Sequence, residues 1–330
     1  MKYRKVLITG AAGFIGANLC EYMLEKGYNV VGLDNFATGF KDNITPFLIH
    51  PNYQFIEGDI RSLEVCLNAT ADVDYVLHQA ALGSVPRSVK DPLTSNTVNV
   101  NGFLNMLEAS KQNDIKRFVY AASSSTYGDS KSLPKVEENI GKPLSPYAVT
   151  KYVNELYADV FTRTYGMEII GLRYFNVFGR RQTPEGVYAA VIPKFIGQFL
   201  NGESPVIYGD GNHSRDFTYI DNVLQMNYLA MTTESPEAIN QVYNTAVGDS
   251  ITILEMTRSL QKSLSEYESE IQKINIQFGP IREGDITNSR ASIEKAKKLL
   301  NYEPTHTFNE GLKASLEWYY KNLRERKTLK

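Results

Sequence analysis

The chain has 330 residues, 42% hydrophobic and 22% charged, and 35 Lys and Arg against 37 Asp and Glu leave a net charge of −2. This is enough chain for one large domain or two modest ones, with no general attraction to nucleic acid or other polyanions, so any phosphate site must be local. No apolar run approaches the ~18 residues of a membrane span, the start Met1-Lys2-Tyr3-Arg4-Lys5 leads into an apolar run too short for a secretory leader, and Cys20 and Cys66 lack metal-like company; the expectation is a cytoplasmic protein with no metal site.

Val6-Leu7-Ile8-Thr9 suits a buried parallel strand, and it opens into Gly10-Ala11-Ala12-Gly13-Phe14-Ile15-Gly16 before an amphipathic helix to about Lys26. Glycines at a strand-to-helix turn permit the bend, let a pyrophosphate approach the backbone and let the helix pack on the strand, while the helix N-terminus attracts the anion. A second apolar run, residues 30–33, ends in Asp34, where an acid that binds ribose hydroxyls belongs. With no arginine among Asn35, Phe36 and Ala37 to welcome a 2′-phosphate, the expected cofactor is NAD.

Strand-like runs continue at 53–57, 75–78 and 118–122, with helical stretches near 62–69 and 94–113. The rhythm predicts an α/β fold with a Rossmann-type doubly wound parallel sheet. Ligand loops lie at the carboxyl ends of such strands, which nominates Asp59 and Ile60 beside the adenine and Gln79, Ala80 and Ala81 beside the middle of the cofactor; Asp59 suits a helix cap equally well. After Ala122 comes Ser123-Ser124-Ser125-Thr126-Tyr127-Gly128, hydroxyls placed to hold a substrate oxygen.

A loop from Leu133 then leads to Ser145-Pro146-Tyr147-Ala148-Val149-Thr150-Lys151. Ser145 can cap a helix and Pro146 suits its first position. Tyr147 and Lys151, four apart, share a face, where an ammonium favours tyrosinate, the form that takes a proton from a hydroxyl. Tyr22/Lys26 and Tyr127/Lys131 repeat the spacing. The first pair lies on the helix after the glycine turn and the second is interrupted by Gly128 and Asp129, so both read as structural.

Beyond Gly179 the rhythm becomes irregular: a loop over 180–186, a helix near 188–200, a turn-rich segment at 209–216 and another around Arg282-Glu283-Gly284-Asp285. His213 reads as a solvated loop histidine. Residues 217–230 and 242–245 return to the sheet, and 292–300 and 308–323 look like packing helices, with Trp318 in the core.

The Gly10/Gly13/Gly16 turn, Asp34, His78-Gln79-Ala80-Ala81, the serine turn, Tyr147/Lys151 and Arg173-Tyr174-Phe175-Asn176-Val177-Phe178-Gly179 together resemble the extended short-chain dehydrogenase/reductases, and within them bacterial UDP-N-acetylglucosamine 4-epimerases and their uronic-acid relatives. The likeness spans nearly the whole chain. It implies reversible inversion at C4 of a UDP-sugar: Tyr147 takes the 4-hydroxyl proton as hydride passes from C4 to NAD, the 4-keto sugar turns over, and both return on its other face. Ser123, with Ser124 and Ser125 as alternatives in register, would guide the proton.

The resemblance also implies cofactor contacts from Phe14, Ile15, Asn35, Asn99 and Tyr174. Expected sugar-nucleotide contacts are Gly83, Ser84, Asn176, Val191, Tyr208, Arg215, Arg282, Asp285 and Ser289, with Arg215 and Arg282 clamping the diphosphate. Ser289 stands at a position whose small size predicts room for an N-acetyl group, whereas Arg87 or the serines near it would accept a C6 carboxylate, which keeps UDP-N-acetylglucosaminuronic acid as the second reading and UDP-glucose as the third. An Asp-Glu pair, expected of 4,6-dehydratases, is absent where the serines stand, and Thr126 fills the place of the acid of decarboxylating relatives. A non-catalytic NAD-sensing protein is the alternative of another class. The expected division is an NAD-binding part at 1–178 plus about 217–246 and a sugar-nucleotide part at about 179–216 plus 247–330, in a homodimer built through the helices at 94–113 and 146–165.

Overall fold

The apolar runs pair as parallel strands covered on both faces. In the computed structural model, which describes residues 4–184, 189–281 and 288–328, β1 (Lys5–Thr9), β2 (Asn29–Asp34), β3 (Tyr53–Glu57), β4 (Tyr75–His78), β5 (Arg117–Ser123), β6 (Ile169–Tyr174) and β7 (Val242–Thr245) form a parallel sheet in the order β7-β6-β5-β4-β1-β2-β3. Alternation along β1 sends Leu7 to one face and Val6 and Ile8 to the other. The first face is covered by α2 (Leu63–Thr70), by Phe103, Met106 and Leu107 of α4 (Gly102–Gln112) and by Phe161 of α5 (Pro146–Tyr165); the second by α1 (Phe14–Glu25) and α7 (Ile220–Thr232). The strand order reverses between β1 and β4, which opens a ligand crevice at their carboxyl ends.

Strand β6, between β5 and β7, is absent from the sequence reading because Gly171 and Arg173 interrupt its apolar pattern. Both have a packing cause. A Cβ on Gly171 would stand 2.6 Å from the Tyr120 hydroxyl. Arg173, 3% exposed, donates Nε and Nη2 to the Glu155 carboxylate at 2.9 and 2.7 Å and Nη1 to the Glu137 carbonyl at 2.9 Å. Nor is 94–113 one helix: Pro92–Asn96 and a π-helical turn at Thr97–Asn101 precede α4, and α3 (Val85–Lys90) comes before them, its N-cap Ser84 accepting from the Arg87 N–H at 3.2 Å.

Past β6 the chain builds short ladders, Val177–Phe178 with Thr218–Tyr219, Val206–Tyr208 with Gln277–Gly279, and Ser214–Arg215 with Ile251–Thr252. Helices α6 (Val191–Leu200), α8 (Ile253–Ser265), α9 (Glu294–Leu300) and α10 (Phe308–Thr328) pack around them. No helix among the described residues is long and apolar enough to cross a membrane. Cys20 and Cys66 are buried free thiols, and burial pushes both up to about 12.

The two repeated Tyr/Lys spacings serve packing. Lys26 Nζ lies 5.3 Å from the Tyr22 ring and 5.6 Å from the Tyr228 ring, pinning α1 to α7. Tyr127 is 2% exposed and donates its hydroxyl to Asn244 Oδ1 at 2.6 Å.

Candidate active site

A cavity of about 390 Å³ lies at the crevice. Gly10, Gly13, Phe14, Ile15 and Gly16 line it from the β1–α1 turn, Asp34 and Asn35 from the end of β2, Asp59 and Ile60 from the end of β3, and Gln79, Ala80 and Ala81 from the end of β4. The glycines are dictated by close approach. Gly10 has φ +69°, and a Cβ there would meet the Ala80 nitrogen at 2.9 Å; one on Gly16 would meet the Gly10 carbonyl oxygen at 2.0 Å. α1 starts on Gly13 with no side-chain cap and no acid in its first turn, so its leading N–H groups are open to an anion.

Asp34 accepts from the Ala12 N–H at 2.9 Å and the Phe36 N–H at 2.7 Å, one on each oxygen, and retains lone pairs for ribose hydroxyls. Burial raises its carboxyl above the ordinary value against these bonds. Arg61 is the arginine among the described lining residues, but Asp59 binds it, Nη2 to Oδ2 at 2.6 Å, and this bond is the main reason the Asp59 carboxyl falls to about 2. Asp59 also accepts from Asn35 Nδ2 at 2.8 Å, and the cap of α2 is Ser62 instead. An open helix N-terminus, an acid for the ribose and a guanidinium already engaged are the donor set that NAD requires.

Asn99 and Tyr174, expected as cofactor contacts, stand behind this wall. Asn99 Oδ1 accepts from the Leu82 N–H at 2.7 Å and its Nδ2 donates to the Leu82 carbonyl at 3.2 Å. The Tyr174 hydroxyl donates to Gln79 Oε1 at 3.0 Å and accepts from Asn227 Nδ2 at 2.8 Å, and Gln79 Nε2 closes the ring on Asn227 Oδ1 at 3.1 Å.

Ser145 Oγ caps α5 by accepting from the Ala148 N–H at 3.1 Å. Tyr147 is partly buried; burial raises its phenol above the ordinary 10, and a hydrogen bond with Ser123 acts the other way. Among the three serines, Ser123 at the end of β5 is the one that acts on the Tyr147 phenol, while Ser125 donates its hydroxyl to Ser123 Oγ at 2.8 Å. Ser124, partly exposed, opens the 3-10 turn Ser124–Tyr127. Lys151 reaches from the same face of α5 to the strand beneath. Lys151 is 3% exposed, its ammonium donates to the Ala121 carbonyl at 2.8 Å, and burial pulls it down to about 8. His78 is lowered to about 3 by burial first and by the Lys151 charge second. An i,i+4 spacing fixes the shared face, but the lysine stem is long enough to reach the strand beneath.

A second cavity, about 750 Å³, adjoins the first, with Gly83 lining both. Gly83, Ser84, Asn176, Val191, Tyr208 and Arg215 line it, as do Lys194, Phe195, His213 and Phe217, which the sequence reading did not nominate. His213 is thus a cavity residue rather than a solvated loop residue: Gly209 and Gly211, at φ +80° and +79°, turn the segment, and the Ile253 N–H holds the His213 carbonyl at 2.9 Å. Lys194, His213 and Arg215 are the basic side chains among its described lining residues.

Asn176, at φ +34°, donates Nδ2 to the Asp216 carbonyl at 3.1 Å. Asp216 is fully buried, and its carboxylate accepts from the N–H groups of Val247, Gly248 and Ala291 at 3.1 to 3.2 Å. Ser289 does not line the described cavity; its N–H donates to the Ser214 carbonyl at 3.1 Å, beside Arg215. Arg87 lies on α3 outside the lining, and Arg282 and Asp285 lie outside the described residues. Among the described residues no group of three or more His, Cys, Asp or Glu side chains could hold a metal ion.

Comparison with known proteins agrees with this geometry. Residues 6–246 match the model of the NAD dependent epimerase/dehydratase family. A putative UDP-glucose 4-epimerase of Methanocaldococcus jannaschii is 36% identical over 97% of this chain and 99% of its own. The UDP-N-acetylglucosamine 4-epimerase of Methanobrevibacter ruminantium M1, solved with UDP-N-acetylmuramic acid, superposes with a TM-score of 0.90 at 37% identity over 98% of this chain and all of that one. The UDP-glucuronic acid 4-epimerase of Bacillus cereus, solved with UDP-glucuronic acid and NAD, gives a TM-score of 0.86 at 32% identity over 96% and 99%. A glycine turn, ribose acid and Ser/Tyr/Lys centre on a doubly wound sheet, matched over nearly the full length by such relatives, mean that the chain belongs to the NAD-dependent epimerase/dehydratase family, the extended short-chain dehydrogenase/reductases.

Proposed function

We propose that this NAD-dependent UDP-sugar 4-epimerase acts on UDP-N-acetylhexosamines, interconverting the gluco and galacto forms. The observation that carries the reading is the sugar-side cavity, where Gly83, Ser84, Ala189 and Ala190 leave small side chains in a space of about 750 Å³. Small walls admit an acetamido group, and Lys194, His213 and Arg215 suit a diphosphate. Ser289, on the segment bonded to Ser214, adds a further small residue nearby. The likeness to a UDP-N-acetylglucosamine 4-epimerase supports the same choice.

In this reading bound NAD supplies the two-electron chemistry at sugar C4. Tyr147 takes the proton of the 4-hydroxyl and later returns it, and Ser123 holds that oxygen and biases the phenol toward ionisation. Lys151, fixed on the Ala121 carbonyl, keeps a positive charge beneath the cofactor cavity. UDP-N-acetylglucosaminuronic acid is the second reading, favoured by Lys194 as an additional cation at the cavity. The assembly proposed is a homodimer through α5, on which Val149, Leu156 and Val160 are 49%, 49% and 43% exposed at helical spacing; a solution mass of a single chain would sink it.

The test is incubation of purified protein with UDP-GlcNAc, UDP-glucose and UDP-GlcNAcA, each followed to its 4-epimer by NMR. The highest kcat/KM is expected for UDP-GlcNAc. A preference for the uronic acid would move the assignment to the second reading, and no turnover of any of the three would remove it.

A further inference from the structure

The first turn of α5 permits a complete account of its backbone donors, and one acceptor comes from elsewhere. Pro146 has no N–H, the Ala148 N–H goes to Ser145 Oγ at 3.1 Å, and the Val149 N–H goes to the Ser145 carbonyl at 3.0 Å. The remaining donor is the N–H of Tyr147, which goes to Ser88 Oγ at 3.0 Å. Ser88 is fully buried on α3 and donates its own hydroxyl proton to the Val85 carbonyl at 2.8 Å, so the lone pair offered to Tyr147 is fixed in direction. The residues that begin α3, Ser84, Val85 and Pro86, line the sugar-side cavity.

The carbonyl of the same residue is gripped as well. Thr150 Oγ1 donates to the Tyr147 carbonyl at 2.8 Å, Asn99 Nδ2 donates to Thr150 Oγ1 at 3.1 Å, and Asn99 holds both polar groups of Leu82. Leu82 lines the cofactor cavity and Gly83 lines both cavities. The segment 82–88 is therefore latched at its two ends to the N–H and the carbonyl of one residue, and between those ends it forms the shared wall of both cavities.

We propose that Ser88 is a positioning residue for the reaction, transmitting the seating of the wall at 82–88 to Tyr147 by holding the tyrosine's backbone N–H. The proposal rests on Tyr147 being the base. Ser88 touches neither substrate nor cofactor in this role; it sets where the phenol stands relative to Ser123 and the sugar. A displacement of the base of about an ångström costs on the order of a hundredfold in rate while leaving ligand binding intact.

The experiment compares Ser88→Ala, Ser88→Thr and Ser145→Ala in the NAD-loaded enzyme, using whichever UDP-sugar is epimerised fastest. Ser88→Ala and Ser145→Ala each remove one acceptor from the first turn of α5, so a merely structural role predicts equal losses of Tm and of kcat. The expected result is a kcat about tenfold to a hundredfold lower in Ser88→Ala than in Ser145→Ala, with KM and retained NAD unchanged between them and partial recovery of kcat in Ser88→Thr. Equal kcat in the two alanine variants, or an effect of Ser88→Ala confined to KM, would overturn the proposal. Tyr147→Phe run alongside separates the readings: undiminished turnover there removes the base itself, whereas an inactive Tyr147→Phe with equal alanine variants removes only the role of Ser88.

Discussion

The cofactor cavity and the sugar-side cavity share Gly83, yet they are built from different materials. The first is a backbone object. Glycines at contacts as short as the Gly16–Gly10 approach, an uncapped helix start and four strand ends define it, and Asp34, the acid at the end of β2, is itself oriented by two backbone N–H groups. The second is a side-chain object. Two- and three-residue ladders supply little regular framework, and the strand carrying Arg215 is fastened to its surroundings by Asp216, Asn176 and Ser214. A backbone-made site tolerates few substitutions; a side-chain-made site inherits the titration of what holds it.

The largest expected effect breaks the first half of that contrast. In Gly16→Val the Cβ alone would stand 2.0 Å from the Gly10 carbonyl oxygen. Backbone cannot yield as a flexible side chain does, so stability should fall by about 5 kcal/mol and co-purified NAD should vanish. Denaturant titration and NAD content after acid release would show it, and a variant that kept its NAD would mean that the turn is adaptable.

Next comes the titration of Asp216. Burial keeps its proton to about 7 against an ordinary 3.8, with Asp249 adding to the rise and the three N–H bonds opposing it. Between those values the folded chain holds one more proton than the unfolded chain, so this group's contribution is fullest below pH 4 and is lost as pH rises through about 7, by roughly 4 kcal/mol. Asp216→Asn does not titrate. The unfolding free energy of the wild type relative to this variant should therefore fall by that amount from pH 4 to pH 8, and parallel curves would show that Asp216 is ionised throughout.

The smallest effect sharpens the contrast instead of breaking it. Lys194→Ala removes an exposed cation from the sugar side only. KM for the UDP-sugar should rise about tenfold as one charge-assisted contact is lost, with retained NAD unchanged, both measured on the same preparation. An equal loss of NAD would show the two cavities to be coupled through more than their common wall.

The same contrast explains what could be read from the chain. Contiguous backbone signals such as Gly10–Gly16 into a helix and Asp34 at a strand end announce themselves in order, and the doubly wound sheet follows from their repetition. Strand β6 escaped because Gly171 answers to Tyr120 and Arg173 to Glu155, partners distant in sequence. Lys194 and His213 escaped because a cavity between ladders gathers them from separate segments, neither with a local pattern. Lys151 was placed on the correct face, but spacing says nothing of where four methylenes carry the ammonium, and Ala121 lies on another element.

The size of the sugar-side cavity has a further consequence. In the proposed reaction a 4-keto sugar presents both faces to one fixed donor, so the space of about 750 Å³ would have to leave the ring room to turn. Room for rotation is slack, and slack measures poorly: a chamber in which the ring can revolve presses only lightly on the groups at C2 and C6. Discrimination among hexosamine, hexose and uronic acid should then be a matter of graded preference, with the grip kept on the nucleotide diphosphate that does not move.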